Sequence, residues 1–202
     1  VKIRRLGGSD IPKLLGISPY GGPLEVYRRC VLGIEEPAGP GAKRGVLMEP
    51  ILRAHGQEGL GLKLETRASD YHEHPELDFA WAQIDDVGTL EGRRACIDYK
   101  SQSIWAQKSW GPSGSDKMPE HIRAQVAWEM CCADIDFALV VTGFGVDNKE
   151  TGAFDLDHIS LYRLERCPQL ESYCVAVARK FWLEHAIPGV PPAKSTGKRK
   201  SK

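Results

Sequence analysis

The segments Phe79-Ala80-Trp81-Ala82-Gln83-Ile84-Asp85 and Ala95-Cys96-Ile97-Asp98-Tyr99-Lys100 constrain this chain more than any other stretch. Each is short, rich in strand formers and ends on a charge, which predicts two strands of one sheet with polar groups at their ends. Side chains two apart on a strand share a face, so Asp98 and Lys100 point one way and Tyr99 the other. The stretch Asp86-Val87-Gly88-Thr89-Leu90-Glu91-Gly92 reads as a hairpin connection that pairs the two strands antiparallel, and Asp85 meets Asp98 only if the register allows it. Two carboxylates and one ammonium on one spot suit the holding of Mg²⁺ over a phosphate, and so the hydrolysis of a phosphodiester. On an edge strand the same Asp-x-Lys triplet is a solvated ion pair worth roughly 0–1 kcal/mol, so the surroundings decide.

The 202 residues fit one domain, 1–190, large enough to bury its own core, followed by a basic tail, 191–202. That tail, with Lys194, Lys198, Arg199, Lys200 and Lys202 among Ser, Thr and Gly, is expected to be disordered and at most an auxiliary phosphate contact. Net charge is zero, unlike that of most nonspecific nucleic-acid binders, so any DNA contact must use a local basic surface. The cysteines form no Cys-x-x-Cys pair and no His/Cys cluster of zinc-ligand spacing, which also argues against an iron–sulfur nuclease. Most read as buried thiols, while vicinal Cys131-Cys132 reads either as redox-active or as core-lining on a helix. With no apolar run near ~20 residues and no basic-then-apolar leader, a soluble cytoplasmic protein is expected.

In chain order, Arg4-Arg5-Leu6-Gly7-Gly8-Ser9-Asp10 leads into a short helix from Ile11. Ser9 either N-caps that helix or, with the glycines, Arg4, Arg5 and Lys2, holds a phosphate. Pro23 opens a helix that ends at Gly33, and a Pro/Gly loop separates it from a helix over about Lys43 to Glu58 with Val46, Leu47, Ile51, Leu52 and Ala54 as its apolar side. Glu49 borders that stripe, and Pro50 beside it predicts a bend that aims Glu49 inward. Leu62 to Thr66 reads as a strand. Ser69 to Pro75 reads as a polar surface turn, with metal binding by His72 and His74 as the rival reading.

Ser101 to Asp116 is expected to be a mobile loop whose Trp105 and Trp110 either stack on bases or pin the loop to the core. Pro119 starts the clearest helix, with Ile122, Gln125, Val126, Glu129 and Met130 on successive turns, and an inward Gln125 has to serve the core or a site. Phe137 to Gly143 is a strand buried on both faces, His158 to Leu164 alternates beside it, and an amphipathic helix runs from Pro168 to about Ala186. The element order indicates one mixed α/β domain.

Gly7-Gly8-Ser9-Asp10-Ile11, Leu15-Gly16-Ile17-Ser18-Pro19-Tyr20, Met48-Glu49-Pro50, Ile84-Asp85, Asp98-Tyr99-Lys100 and Gln125-Val126, in that order, resemble the signature of the phage lambda exonuclease-like, YqaJ-type viral recombinases of the PD-(D/E)XK nuclease superfamily. The likeness runs from about Lys2 to Val141. It implies a central mixed β-sheet flanked by helices. It also implies an Mg²⁺-dependent enzyme, with Mn²⁺ as a substitute and two ions per site, that digests linear double-stranded DNA from the 5′ end and leaves a 3′ single-stranded tail. A homotrimeric ring around the DNA and a single-strand-annealing recombinase that receives the tail are implied as partners, and no membrane.

By the same resemblance Asp85 and Asp98 ligate the metal with the Tyr99 carbonyl, and Glu49 assists metal or water placement. Lys100 orients or deprotonates the attacking water, Gln125 holds that water or Lys100, and Ser9 with Arg5 or Lys2 holds the 5′-phosphate. The chemistry agrees, since a hard cation selects oxygen ligands and metal plus lysine stabilise a transition state richer in negative charge. The chain departs from its relatives in carrying Asp98 where Glu is usual, Ile84 for the motif's Pro, and Asp86 for the following Gly. Asp86 therefore competes with Asp85 as a candidate ligand. The rival readings are an endonuclease on the same scaffold and a DNA-end-binding subunit without catalysis.

Overall fold

A computed structural model describes residues 3–35, 37, 39–66, 70–148 and 150–193. The elements in chain order are α1 (Ile11–Leu14), α2 (Pro23–Cys30), α3 (Pro40–Leu60), β1 (Lys63–Thr66), β2 (Asp70–Glu73), β3 (Trp81–Ile84), β4 (Asp86–Leu90), β5 (Arg93–Ser103), α4 (Glu120–Ala133), β6 (Phe137–Asp147), β7 (Phe154–Glu165) and α5 (Pro168–Phe181). The principal sheet has the order β1-β4-β5-β6-β7, and a second sheet pairs β2 with β3. β5 and β6 are parallel and the other neighbours antiparallel, so the sheet is mixed, as expected. Parallel neighbours need a crossover, which α4 supplies.

β5 shows how period-two alternation builds both layers. Ala95, Ile97 and Tyr99 join Met48 and Leu52 of α3 in one apolar cluster. Cys96 joins Ile122, Val126 and Met130 of α4 in another. Asp98 and Lys100, in step with Cys96, therefore face α4. β6 is buried on both faces because Leu139 and Val141 meet the α3 layer while Ala138 and Val140 meet α4. A third cluster joins α1, α2 and α5 to Trp128.

The strand pairing differs from the sequence expectation. The stretch read as a connection is itself β4, which pairs with β5 through a turn at Glu91-Gly92, whereas β3 pairs with β2. The polar turn expected over Ser69 to Pro75 is thus largely strand β2, with His74 buried beyond its end. The reason is register: Asp70 to Glu73 lie opposite Ile84 to Trp81, and satisfying those backbone groups outweighs the polar composition.

α3 also differs. It buries Met48, Leu52 and Gly56, spaced four apart, and turns Val46, Leu47 and Ile51 to solvent. Its rotation is fixed by Arg44, which binds both Asp147 carboxylate oxygens at 2.8 Å, and by Arg53, which reaches Asp86 at 2.7 Å. The helix continues through Pro50. The segment after β5 is tied down: Gly114 N–H donates to the Leu161 carbonyl at 2.7 Å, and Trp110 is buried against Phe144 and Tyr162 while Trp105 is exposed. Among the described residues no helix is long and apolar enough to cross a membrane. The tail from 194 onward, like Lys2, lies outside the described residues.

Candidate active site

Lys100 Nζ donates to Asp98 Oδ1 at 2.5 Å, the contact that two same-face positions on β5 allow. Both lie beneath α4, where Gln125 and Glu129 stand one turn apart and Gln125 Nε2 donates to Glu129 Oε1 at 2.9 Å. Glu129 is a buried carboxyl that the sequence reading placed on the helix but not in the site. His121, Gln125 and Glu129 follow at four-residue intervals, so one polar stripe runs alongside the apolar stripe of Ile122, Val126 and Met130.

Electrostatics bind the two elements together. Burial, and after it Lys100 in the opposite sense with Asp85 and Glu49 adding to burial, leaves the Asp98 carboxyl pushed up to about 6. Burial pulls the Lys100 ammonium down, but Asp98, Glu129 and Asp85 outweigh it and its pKa ends above the ordinary value. Burial and the Asp98 charge carry Glu129 well above the usual carboxylate range. Three acids thus act on one ammonium.

Asp85 and Asp86 have separate surroundings although adjacent. Asp85 sits where β3 ends and β4 begins, and its Oδ2 accepts the Tyr99 N–H at 2.9 Å, so it reaches β5 next to Asp98 without being its hairpin partner. Asp86 faces the α3 layer, where Oδ1 accepts from Arg53 Nη2 at 2.7 Å and Oδ2 from the Tyr99 hydroxyl at 3.1 Å. Asp86, read as a rival ligand, is thus engaged by a half-buried arginine and a buried tyrosine on the other face. Tyr99 links both aspartates, one through its backbone and one through its ring.

Glu49 is an exposed residue of α3 within electrostatic reach of Asp98. Ser9 lies in the 3-10 turn Gly8–Asp10 and is exposed; the turn's reciprocal bond comes instead from Asp10, whose Oδ2 accepts the Gly7 N–H at 2.8 Å, so Ser9 is not the cap. Asp10 is buried and is held by Arg29. The turn presses on α4: a Cβ on Gly8 would come within 3.3 Å of Glu129 Oε1. Arg5 is occupied by Glu73 at 2.7 Å and by the Ala80 carbonyl at 3.0 Å. The residues brought together are thus Asp85, Asp98, Lys100, Gln125 and Glu129, with the Ser9 turn against their far side and Glu49 at their edge. Repeating polar residues on α4 are the signal that could have found Glu129.

Whether these residues suit a divalent cation turns on one atom. Asp98 Oδ2 is buried and has no hydrogen-bond partner, an expensive state for a carboxylate oxygen unless something else satisfies it. Among the described residues no three His, Cys, Asp or Glu side chains already stand at metal-holding spacing. Lys100 takes Asp98 Oδ1 and Tyr99 takes Asp85 Oδ2, so ligands must be drawn together against their mutual repulsion. An all-oxygen set with one unsatisfied buried carboxylate oxygen fits a hard ion such as Mg²⁺.

Residues 1–136 match the family model of the YqaJ-like viral recombinase domain. No curated protein matches the sequence. Among solved structures, the chain is similar to LHK-Exo in complex with dAMP, at 18% identity and a TM-score of 0.68, over 94% of this chain and 91% of that one. The structure of LHK-Exo from Laribacter hongkongensis, an alkaline exonuclease, gives a TM-score of 0.65 at 18% identity over the same shares. A phage-related exonuclease from Haemophilus somnus 129PT gives 0.58 at 19% identity, over 91% of this chain and 94% of that one. The expected fold, a mixed sheet flanked by helices as in PD-(D/E)XK exonucleases, is the observed one.

Proposed function

We propose, from the premise that this chain belongs to the YqaJ-like viral recombinase family, that it is a Mg²⁺-dependent exonuclease that degrades linear double-stranded DNA from 5′ to 3′ and leaves 3′ tails for strand annealing. The observation that carries the reading is the part-buried Asp98–Lys100 pair under the Gln125–Glu129 stripe, with one Asp98 oxygen unsatisfied. Asp85, Asp98 and the Tyr99 carbonyl would hold the ion, with Glu49 at the edge; Mn²⁺ would substitute, and the acid count suits two ions. When bound, the ion supplies positive charge to the phosphoryl oxygens and lowers the pKa of a bound water.

The chain's own groups do the rest. Lys100, kept charged by its acids, is placed to orient the attacking water and to balance the charge that grows on the phosphate. Gln125 donates to Glu129, and Glu129 adds to the field that keeps Lys100 charged. Partial burial strengthens each of these interactions relative to water. Ser9, with Arg5 released from Glu73 or with Lys2, would take the 5′-phosphate, which selects ends over internal sites. The wider proposal is a homotrimeric ring on DNA that hands its tail to an annealing recombinase in the cytoplasm, and the described cysteines, all free thiols, agree with a reducing compartment.

The test is digestion of linear duplex labelled at either end, with Mg²⁺ and with chelator, beside covalently closed circular DNA. Release of the 5′ label first, only with metal and only from linear DNA, is expected. Cleavage of the circle makes the chain an endonuclease, and binding without cleavage makes it an end-binding subunit.

A further inference from the structure

The rim of the site carries an aromatic ring that the mechanism above does not use. Tyr20 lies in the turn between α1 and α2, where its N–H bonds Ser18 Oγ at 3.1 Å, and it is 72% exposed. Two features hold this turn: Gly21 has a φ of 129°, open to glycine alone at no cost, and Gly22 N–H donates to Glu25 at 2.7 Å. The Tyr20 ring meets His121 at 6.1 Å between centroids and 78° between planes.

His121 is the first residue of the polar stripe that continues through Gln125 to Glu129. Burial, and then the nearby Lys100 charge, lower its pKa. Tyr20 thus meets the first residue of the α4 stripe whose next two members, Gln125 and Glu129, are bonded to each other beside Asp98 and Lys100. An edge-to-face contact fixes the ring's orientation, and most of the ring remains exposed. Asp98 is buried and Lys100 half-buried, and a nucleotide that leaves its stack to bring a phosphate to them needs another flat surface for its base.

We propose that Tyr20, braced by His121, is a stacking platform for an unpaired nucleobase at a DNA end, the base of the 5′-terminal nucleotide, whose 3′-side phosphate is the one that lies at Asp98 and Lys100. This rests on the nuclease reading for its position, and on the Tyr20–His121 geometry for its chemistry. Stacking on a ring tolerates every base, so the subsite is sequence-indifferent. The bland alternative is that Tyr20 merely fills out its turn.

The experiment uses linear duplex with 2-aminopurine as the 5′-terminal nucleotide, bound in chelator so that no cutting occurs, and compares the full chain with Tyr20→Phe, Tyr20→Leu and Tyr20→Ala. The native chain and Tyr20→Phe are expected to quench the fluorophore, and Tyr20→Leu and Tyr20→Ala to leave it bright. With Mg²⁺ the two non-aromatic variants are expected to show about a ten-fold rise in KM, with the smaller loss in kcat. Quenching by Tyr20→Leu equal to that of the native chain, absence of quenching by the native chain, or an unchanged KM in folded Tyr20→Leu would overturn the platform. A native chain that quenches but cuts no DNA with Mg²⁺ would instead overturn the nuclease reading and leave the platform standing.

Discussion

Replacing Asp85 and Asp86 one at a time by asparagine should give opposite results, although the two are neighbours in the chain. Asp86→Asn removes the charge from a buried group, 1% exposed, that accepts from Arg53 and from the Tyr99 hydroxyl. An amide can rebuild both hydrogen bonds, but Arg53 then stands half-buried without its counter-charge. Breaking a fully buried pair costs about 3–5 kcal/mol; the guanidinium retains some solvent access, so about 2–3 kcal/mol is expected. For a domain of this size that lowers Tm by roughly 5–10 °C. Cleavage below the melting range should stay within about three-fold of native, because this carboxylate faces the α3 layer and not the site.

Asp85→Asn keeps the acceptor for the Tyr99 N–H and removes a negative charge beside Asp98 and Glu129. Stability should hold or rise. Cleavage should fall by about 10³-fold or more, some 4 kcal/mol of lost transition-state stabilisation, because a ligand to the cation is gone. Paired thermal melts and initial rates over a Mg²⁺ titration measure both effects. An inactive but folded Asp86→Asn, or an active Asp85→Asn, would show that the ligand has been assigned to the wrong aspartate.

Three further outcomes are expected. Lys100→Met should abolish cleavage by about 10²–10⁴-fold while duplex ends are still bound in a gel-shift assay; full cleavage would remove Lys100 from the chemistry. Glu129→Gln should change how stability varies with pH. A carboxyl whose folded pKa is raised costs stability as pH climbs above the unfolded value, by up to about 1.4 kcal/mol per unit until the folded pKa is reached. The variant should therefore match native protein near pH 4 and exceed it at neutral and alkaline pH in chelator, and parallel curves would count against a protonated Glu129. His74, whose pKa burial lowers, is the opposite case: its contribution is present above about pH 6.5 and is lost as pH falls through the folded pKa. His74→Asn should flatten that acid limb in urea melts, and an unchanged slope would assign it to other groups.

How far the sequence reaches can be judged residue by residue. Asp98 and Lys100 share a face because a strand repeats every two residues, and β6 is readable because a strand buried on both sides must be apolar throughout. Pairing was not readable. Asp86 to Leu90 resembles a turn because it carries Asp and Gly, yet Gly88 is there for a different reason: a Cβ would stand 2.8 Å from the Lys63 carbonyl of the neighbouring strand β1. Only the packed sheet reveals that close approach. α3 misled for a related reason, since Val46, Leu47 and Ile51 make as good an apolar side as Met48 and Leu52, and long-range ties from Arg44 and Arg53 choose between them.

Glu129 was missed because a helix that lies over an active strand has to serve two purposes on adjoining stripes. Ile122, Val126 and Met130 are one residue out of step with His121, Gln125 and Glu129, about 100° round the helix. The apolar stripe packs on Cys96 and Val140 and thereby sets the height and rotation of α4 over β5. The polar stripe is then carried over Asp98 and Lys100 without any contact of its own having to position it. The ammonium and the carboxyls accordingly meet at a geometry that the core enforces, which is why a cluster of like charges, unfavourable by itself, persists in the folded chain. Sequence shows either stripe separately; that they are one device follows only when the strand beneath them is known.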